Sequence, residues 1–532
     1  MPTDHSAPNI GQKEYGSVST LGGYSVFVNC LIGSTAFALP YAFYSAGIPL
    51  TSAVLVFFLV LTMFTAWWVL ELLARTHGYV RAGAYDEDHP DSAEGKPLLE
   101  QAGVQQPENR IEKVKYSFTD FSYVFGGPVW RDITQVITWL CSYGALWSYA
   151  ASFSSSLAMF VFKHAFKESC NIYHDPSPAC TWTYYGGVAL YGLIVIPLCL
   201  MSISEQKYFQ YALTIYRFAS FALMLATVIV AYVVSGPLNG GKFVFNSAAE
   251  FFLDESVSDS SVFESLSSAV DDGASIWSFK WKGFGVMFAS TALSLGFHAN
   301  IPDVATPCEN KKALRTVVGG VTVTGFTFYL LVGTICAIFF NPPDPLVTLN
   351  WETYTGRNGG WGEGEPYWWA SVIQVLIILF PVIQLVNVYP LVAIALASNM
   401  NSYVTSILDP KKDTVGQKVG KFIFGSDTNG RHRHWVTGLL SSVPPLIGAC
   451  ISGELDIIFS FTGIFDFALE FLIPAVFQCL SVYTFVKRWG KGSEKTDYTG
   501  WHSKPFVAWF TIVVGVIAAI VSLTFTIMDL VK

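Results

Sequence analysis

The sequence predicts an all-α integral membrane protein of about eleven transmembrane helices, and three observations carry that prediction. Of 532 residues, 52% are hydrophobic and only 13% charged, whereas soluble domains run nearer a quarter charged. The mean hydropathy is +0.43. Apolar residues also fall in runs of roughly 20, the length that crosses about 30 Å of hydrocarbon, most plainly over 50–73 and 506–528. Finally, Lys and Arg collect in alternate connections between the runs, as membrane topology requires.

Taken in order, helices are expected near 20–46, 48–74, 131–162, 182–202, 211–235, 283–300, 315–340, 367–398, 434–452, 456–486 and 504–528. One side of this arrangement receives 23 basic residues, among them Arg75, Arg131 and Lys207. The other side receives seven, and Arg217 falls inside a helix near its cytoplasmic end. The richer side is read as cytoplasmic. That gives a cytoplasmic tail over 1–19, a transmembrane domain over 20–528, a cytoplasmic loop over 75–130 and an acidic non-cytoplasmic loop over 236–282. Polar residues at the start give no cleaved signal peptide. Aromatics at 16% suit two lipid interfaces. Membrane lipid is an expected partner and nucleic acid is not, because no basic stripe exists.

Seven of the nine cysteines lie in or beside apolar segments; Cys170 and Cys180 share one loop on the non-cytoplasmic side. Disulfides persist there, so these two are expected to pair. No Asn-X-Ser/Thr sequon occurs, so N-glycosylation is not expected.

Two apolar segments are interrupted. The first reads Asn29-Cys-Leu-Ile-Gly33-Ser34-Thr35 with Pro40 after it; the sixth reads Ser290-Thr-Ala-Leu-Ser294-Leu-Gly296 and runs through His298 to Pro302. Paired Gly/Pro interruptions in two halves point to a transporter's central site. An unwound turn frees N–H and C=O groups that lipid cannot satisfy, so they must face protein or a wet cavity, where they hold a carboxylate, an ammonium or a cation. If helices 1–5 and 6–10 are inverted repeats, helices 1 and 6 correspond.

The stretch Asn29-Cys-Leu-Ile-Gly-Ser-Thr-Ala-Phe-Ala-Leu-Pro-Tyr-Ala-Phe43 resembles the first-helix signature of the amino acid/auxin permease family, within the wider superfamily of amino acid, polyamine and organocation transporters. Weaker similarities follow at Tyr116–Asp120 with Phe125-Gly126, at Gly144 and Tyr149, at Phe297–Pro302, at Phe380-Pro381 and Tyr389-Pro390, and at Leu472–Pro474. The resemblance implies an inverted-repeat fold of five plus five helices and one more, with broken helices 1 and 6 and an amino acid held between helices 1, 3, 6 and 8. Carried over by residue, it implies substrate contacts from Ile32, Gly33, Ser34, Thr35, Tyr149, Ser294 and Gly296. Family members usually carry glycine where Thr35 stands, which puts a hydroxyl beside the substrate and narrows the pocket.

For the driving ion, Asn29 matches the asparagine that sodium-coupled members use as a ligand, yet helix 8 offers only Val382, Ile383 and their neighbours where those members carry threonine. A proton is the other candidate. Asp466 and Glu470 lie four residues apart inside an apolar helix, on one face. Ionisable groups at that depth are costly and mark function. Burial and mutual repulsion favour holding a proton on one of them. His298 is a further candidate, and Glu71, close to a cytoplasmic end, is expected to snorkel.

Glu94-Gly-Lys-Pro-Leu98-Leu99 resembles an acidic dileucine signal read by clathrin adaptors, which sends proteins to endolysosomal or vacuolar membranes; the plasma membrane is the alternative. No nucleotide loop, HExxH or GxSxG motif is present, so neither enzyme activity, cofactor nor metal is expected. The expected function is secondary active transport of amino acids by a monomer, coupled to protons, with sodium coupling or a nutrient-sensing role for the same fold as the alternatives.

Overall fold

The computed structural model describes residues 12–13, 18–33, 35–84, 107–166, 168, 170–173, 176–200, 207–239, 242–243, 276–407 and 431–530. Among these the protein is all-α apart from short strand pairings. Helix 1 is broken into 1a, Thr20–Leu31, and 1b, Thr35–Ala46, which meet at 53°. Helix 2 is Ile48–Arg81, helix 3 Phe118–Val161, helix 4 Pro178–Cys199 and helix 5 Lys207–Ser235. Helix 6 is broken again, into 6a, Phe284–Leu295, and 6b, Ile301–Ala305. Helix 7 is Leu314–Phe339, helix 8 Trp368–Ile407, and helix 9 the shorter Arg431–Ile451. Helix 10 runs Leu455–Phe467, passes through a π turn at Ala468–Leu472 and resumes over Ile473–Trp489. Helix 11 is Pro505–Leu530. Among the described residues nine helices are long and apolar enough to cross a membrane, ten if the bent pair 1a and 1b counts as one span, and helix 9 adds a shorter apolar stretch, Trp435–Ile451, against the eleven spans expected.

The packing is that of two inverted repeats. Helix 3 lies on helices 4, 9 and 10, and its mate, helix 8, lies on helices 9, 4 and 5. Helix 2 packs on 6 and 10, and its mate, helix 7, packs on 1b and 5. Helices 3 and 8, 2 and 7, and 4 and 9 each pair with their own equivalents, while 1b packs on 6a and 1a on 6b. Because a repeat has five crossings, an odd number, the second half enters from the opposite side. The two breaks meet at helix 7. Leu31 and Leu295, the last helical residues before each break, both pack on Gly325, where an added Cβ would stand 2.1 Å from the Leu31 side chain. Only glycine lets them approach there.

Helix 3 begins thirteen residues before its expected start at 131. A kink at Gly127 (φ 78°) followed by Pro128 separates its opening turns from the span proper. Gly127 takes a left-handed conformation that side chains disfavour. Together with the extension of helix 2 to Arg81, this shortens the expected 75–130 loop at both ends, and Arg75 and Arg131 sit in helices rather than in that loop. Most of the 236–282 loop lies outside the described residues.

At the N-terminal face, Gln12–Lys13 pairs antiparallel with Val114–Lys115. Val18 bridges to Cys308: its N–H donates to the Pro307 carbonyl at 3.0 Å, and its carbonyl accepts from Glu309 at 3.0 Å. On the opposite face Cys170 and Cys180 form the expected disulfide.

Glu71 does not snorkel. It and Arg75 are fully buried and ion-paired at 2.5 Å. Arg75 also donates to Gln478 at 2.8 Å, Ser481 at 3.0 Å and the Glu494 carbonyl at 2.8 Å. Glu71 accepts from Gln478 at 3.1 Å and from Ser503. A carboxylate four residues before an arginine on the same helix face is a favourable pair, and the packing of helix 10 against helix 2 closes over it before either side chain can reach water.

Candidate functional site at the two helix breaks

At the first break, Ile32 leaves helical geometry (φ −80°, ψ 87°) and the carbonyls ahead of it lose their helical donors. Two side chains from other helices replace those donors. Tyr329 of helix 7 donates from its hydroxyl to the Leu31 carbonyl at 2.7 Å; it also accepts from the Gly33 N–H at 3.4 Å and lies 3.3 Å from the Thr35 hydroxyl. Arg217 of helix 5 donates from Nη1 to the carbonyls of Asn29 at 3.0 Å and Ile32 at 2.8 Å. With the Gln384 amide turned so that its oxygen faces Arg217, that oxygen accepts from Nε at 2.8 Å and also from Nη2.

Arg217 is only 9% exposed, and among the described residues no carboxylate lies within 4 Å of it. A lone arginine at membrane depth costs about 2.5–3.5 kcal/mol on insertion scales. Each hydrogen bond from a charged donor returns about 1.5–3 kcal/mol, so these bonds suffice to hold it. It is not near a cytoplasmic helix end in effect, because its guanidinium reaches the middle of helix 1.

Of the expected substrate contacts, Ile32 is buried and spends its carbonyl on Arg217. Nothing stands within 4 Å of where a Gly33 Cβ would be, so the break borders open space on that side. Thr35 is buried against Tyr329. Ser34 lies outside the described residues. Tyr149 of helix 3 is half-buried and within electrostatic reach of Arg217, Cys141, Tyr329 and Cys30, which brings it to the same place. Asn29, expected as an ion ligand through its side chain, is engaged here through its backbone carbonyl.

The second break follows Leu295, where Gly296 turns extended (φ −77°, ψ 118°) and Phe297 departs further (φ −153°, ψ 8°). The Ser294 hydroxyl donates to the Ser290 carbonyl of its own helix at 2.7 Å. Helix 10 supplies the polar partners. Glu470 accepts from the backbone N–H of His298 at 2.7 Å and pairs with its ring Nδ1. The other ring nitrogen of His298 is 2.7 Å from the Thr65 hydroxyl of helix 2. Asp466 is pressed against Gly296, where an added Cβ would come within 2.6 Å of Oδ2. Its Oδ1 accepts from the Cys141 thiol of helix 3 at 3.4 Å, and Oδ2 has no hydrogen-bond donor among the described residues.

The expectation of one shared face holds for Asp466 and Glu470, since both turn to helix 6. The π turn carrying Glu470 has a local cause: Pro474 has no N–H to return to the Glu470 carbonyl. Such turns recur at functional positions. Arg217, Tyr329, Gln384, Thr65 and Cys141 were not singled out as site residues by the sequence reading. Only Arg217 carried a signal that could have done so, as the one basic residue placed inside a span. Glu94, Leu98 and Leu99 lie outside the described residues.

No family model matches the chain, so the resemblance to amino acid/auxin permeases rests on the motifs alone. Curated relatives are similar along nearly their whole length. The chain is 24% identical to the transmembrane protein 104 homolog of Caenorhabditis elegans over 504 residues, covering 88% of each. It is 22% identical to the homolog of Dictyostelium discoideum, covering 88% of this chain and 90% of that one. It is 21% identical to transmembrane protein 104 of Homo sapiens, covering 87% of each. Among solved structures, MhsT in complex with L-phenylalanine aligns with a TM-score of 0.49 at 11% identity, over 96% of this chain and all of that one. The helix order and the paired breaks stand independently of that loose likeness.

Proposed function

We propose that this multi-pass membrane protein is a secondary active transporter of amino acids, coupled to protons, which works by alternating access around the breaks of helices 1 and 6. One observation carries the reading: equivalent helices of the two repeats deliver a base to one break and an acid to the other, Arg217 from helix 5 and Asp466 from helix 10. A small zwitterion between the breaks has one group for each. The open space beside Gly33 supports binding there.

The same geometry favours a proton over sodium. A sodium ion at the first break would need carbonyls such as those of Asn29 and Ile32, and a fixed guanidinium already takes both. Asp466, with one weak thiol donor and a second oxygen lacking a described donor, suits a species that attaches to the carboxyl itself. Glu470 and His298 form a contiguous acceptor–donor path one turn away. We read the N-terminus as cytoplasmic from the loop charges, and the Glu94, Leu98 and Leu99 pattern as an address for an endolysosomal or vacuolar membrane through clathrin adaptors.

The test is uptake by the purified protein in proteoliposomes across a panel of amino acids, under separate sodium and proton gradients. Uptake is expected to rise as pH falls on the non-cytoplasmic side. Uptake that follows sodium and ignores the proton gradient overturns the coupling, and absence of uptake across the panel overturns the function.

A further inference from the structure

Away from both breaks, an open groove of about 550 Å³ runs between helices 1a, 2 and 7 at the N-terminal face. Its wall is Tyr24, Met63 and Trp67 on one side and Arg315, Gly319 and Val323 on the other. It shares no residue with the breaks. Arg315, Gly319 and Val323 recur every four residues and so form one stripe of helix 7. The stripe changes character along its length, from a cation through bare backbone to an exposed apolar side chain.

The polar end is defined. The Arg315 guanidinium stacks on the Trp67 ring at 4.7 Å, and the Trp67 indole donates to the Arg315 carbonyl at 3.1 Å. No carboxylate lies within 4 Å of Arg315 among the described residues. Trp67 is the twentieth residue of helix 2, about 30 Å along the axis at 1.5 Å per residue. That is where a span begun at the opposite face reaches the lipid headgroups. The apolar end is smooth because it lacks side chains: at Gly320 a Cβ would already touch the Tyr24 ring at 3.5 Å, and at Gly319 the Trp67 ring at 3.5 Å. Deeper in, the Tyr24 hydroxyl hydrogen-bonds with that of Thr324 at 2.6 Å, so each polar group has a partner.

An unpaired cation on an indole at headgroup depth, continued by a smooth channel toward the hydrocarbon, matches one chemistry: a phosphate with an acyl chain. Basic pockets between membrane helices on the cytoplasmic side take anionic headgroups in this way. We propose that this groove binds one anionic phospholipid of the leaflet on the N-terminal side, with its phosphate on Arg315 and an acyl chain along Gly319, Gly320 and Val323. The site is independent of the transport reading.

Native mass spectrometry of the full chain in detergent tests it, with phosphatidylserine, phosphatidylcholine or inorganic phosphate added. The wild type is expected to retain one phosphatidylserine and no phosphatidylcholine. Arg315→Gln, which removes the charge, is expected to weaken retention about fivefold, the scale of one interfacial basic residue. Gly320→Leu, which keeps the charge and fills the channel, is expected to weaken it as much. Lys312→Gln, at an exposed neighbouring position, should leave it unchanged. Equal retention of phosphatidylcholine, displacement of the lipid by inorganic phosphate alone, wild-type retention in both groove variants, or an equal loss in Lys312→Gln each overturns the proposal.

Discussion

Arg217 and Asp466 stand on equivalent helices of the two repeats, helix 5 and helix 10, the first a cation against the helix 1 break and the second a carboxylic acid against the helix 6 break. The guanidinium reaches the Ile32 carbonyl at 2.8 Å, and the carboxyl abuts Gly296 so closely that an added Cβ would push it aside. The two repeats thus bring opposite chemistry to their two breaks.

Removing the base tests the first half of that relationship. Arg217→Met leaves the Asn29 and Ile32 carbonyls without these donors in apolar surroundings, and one charged hydrogen bond is worth about 1.5–3 kcal/mol. Initial uptake is expected to fall about tenfold or more. Arg217→Lys keeps the charge but loses the fork that spans two carbonyls and Gln384, so it should fall in between. Uptake by Arg217→Met at the wild-type rate would reject a role for this residue.

Removing the acid tests the second half. Asp466→Asn keeps an oxygen for the Cys141 thiol but no longer takes up a proton. Net uptake should lose its response to pH on the non-cytoplasmic side, while exchange of substrate against substrate persists. A pH response as steep as that of the wild type would place the proton elsewhere, with Glu470→Gln the next variant to measure.

A separate pH effect concerns stability. His502, at the start of helix 11, is buried beside Glu71 at 3.6 Å, near Arg315 and among the rings of Phe64, Trp67 and Trp501. Burial holds its affinity for a proton below the usual histidine range, with Arg315 adding to the effect and Glu71 opposing it. A lowered folded pKa means that the unfolded chain takes up the proton first. The contribution is therefore complete above about pH 6.5, the unfolded value, and is lost as the medium acidifies. The melting temperature of His502→Gln should fall less between pH 7.5 and pH 5 than that of the wild type. Parallel curves for the two proteins would remove His502 as the cause.

Gly325 offers a purely steric test. Gly325→Val drives Leu31 and Leu295 apart at once, and overpacking of this kind typically costs about 1–3 kcal/mol. A lower melting temperature is expected together with reduced uptake, whereas Gly319→Ala on the same helix, with only ordinary contacts at 3.5 Å and beyond, should change neither by much.

The sorting pattern is tested by location. Replacing Leu98 and Leu99 with alanine should move the protein from internal membranes to the cell surface, as followed by surface labelling. An unchanged distribution would dismiss the adaptor reading.

Much of the fold was legible because hydrocarbon thickness fixes the length of a span and because glycine and proline leave a mark where a span breaks. Gly33 and Gly296 were found that way, and Asp466 with Glu470 stood out as acids in an apolar run. What could not be read is which side of a span turns inward, and with which distant partner. Arg217 meets Ile32 across 185 residues and Glu71 meets Ser503 across 432. Such pairs are set by how helices pack, so Glu71 looked like a snorkelling terminus and Arg217 like a stray basic residue. Tyr329 gave no sign at all, because a tyrosine in a membrane helix is ordinary until its hydroxyl is seen to replace a missing N–H.

The Val18–Cys308 bridge has a mechanical consequence. It fastens the start of helix 1a to the chain just beyond helix 6b, and a Cβ added at Gly23 would stand 3.6 Å from Val304 and 3.9 Å from Cys308. On the same face, the Glu71–Arg75 pair clamps helix 2 to helix 10 and to the connection that follows it. The first assembly is a pair of short pieces hung from two unwound turns, and the second is a braced post. A passage opening on that face would swing 1a and 6b together as one door, against a frame that stays still.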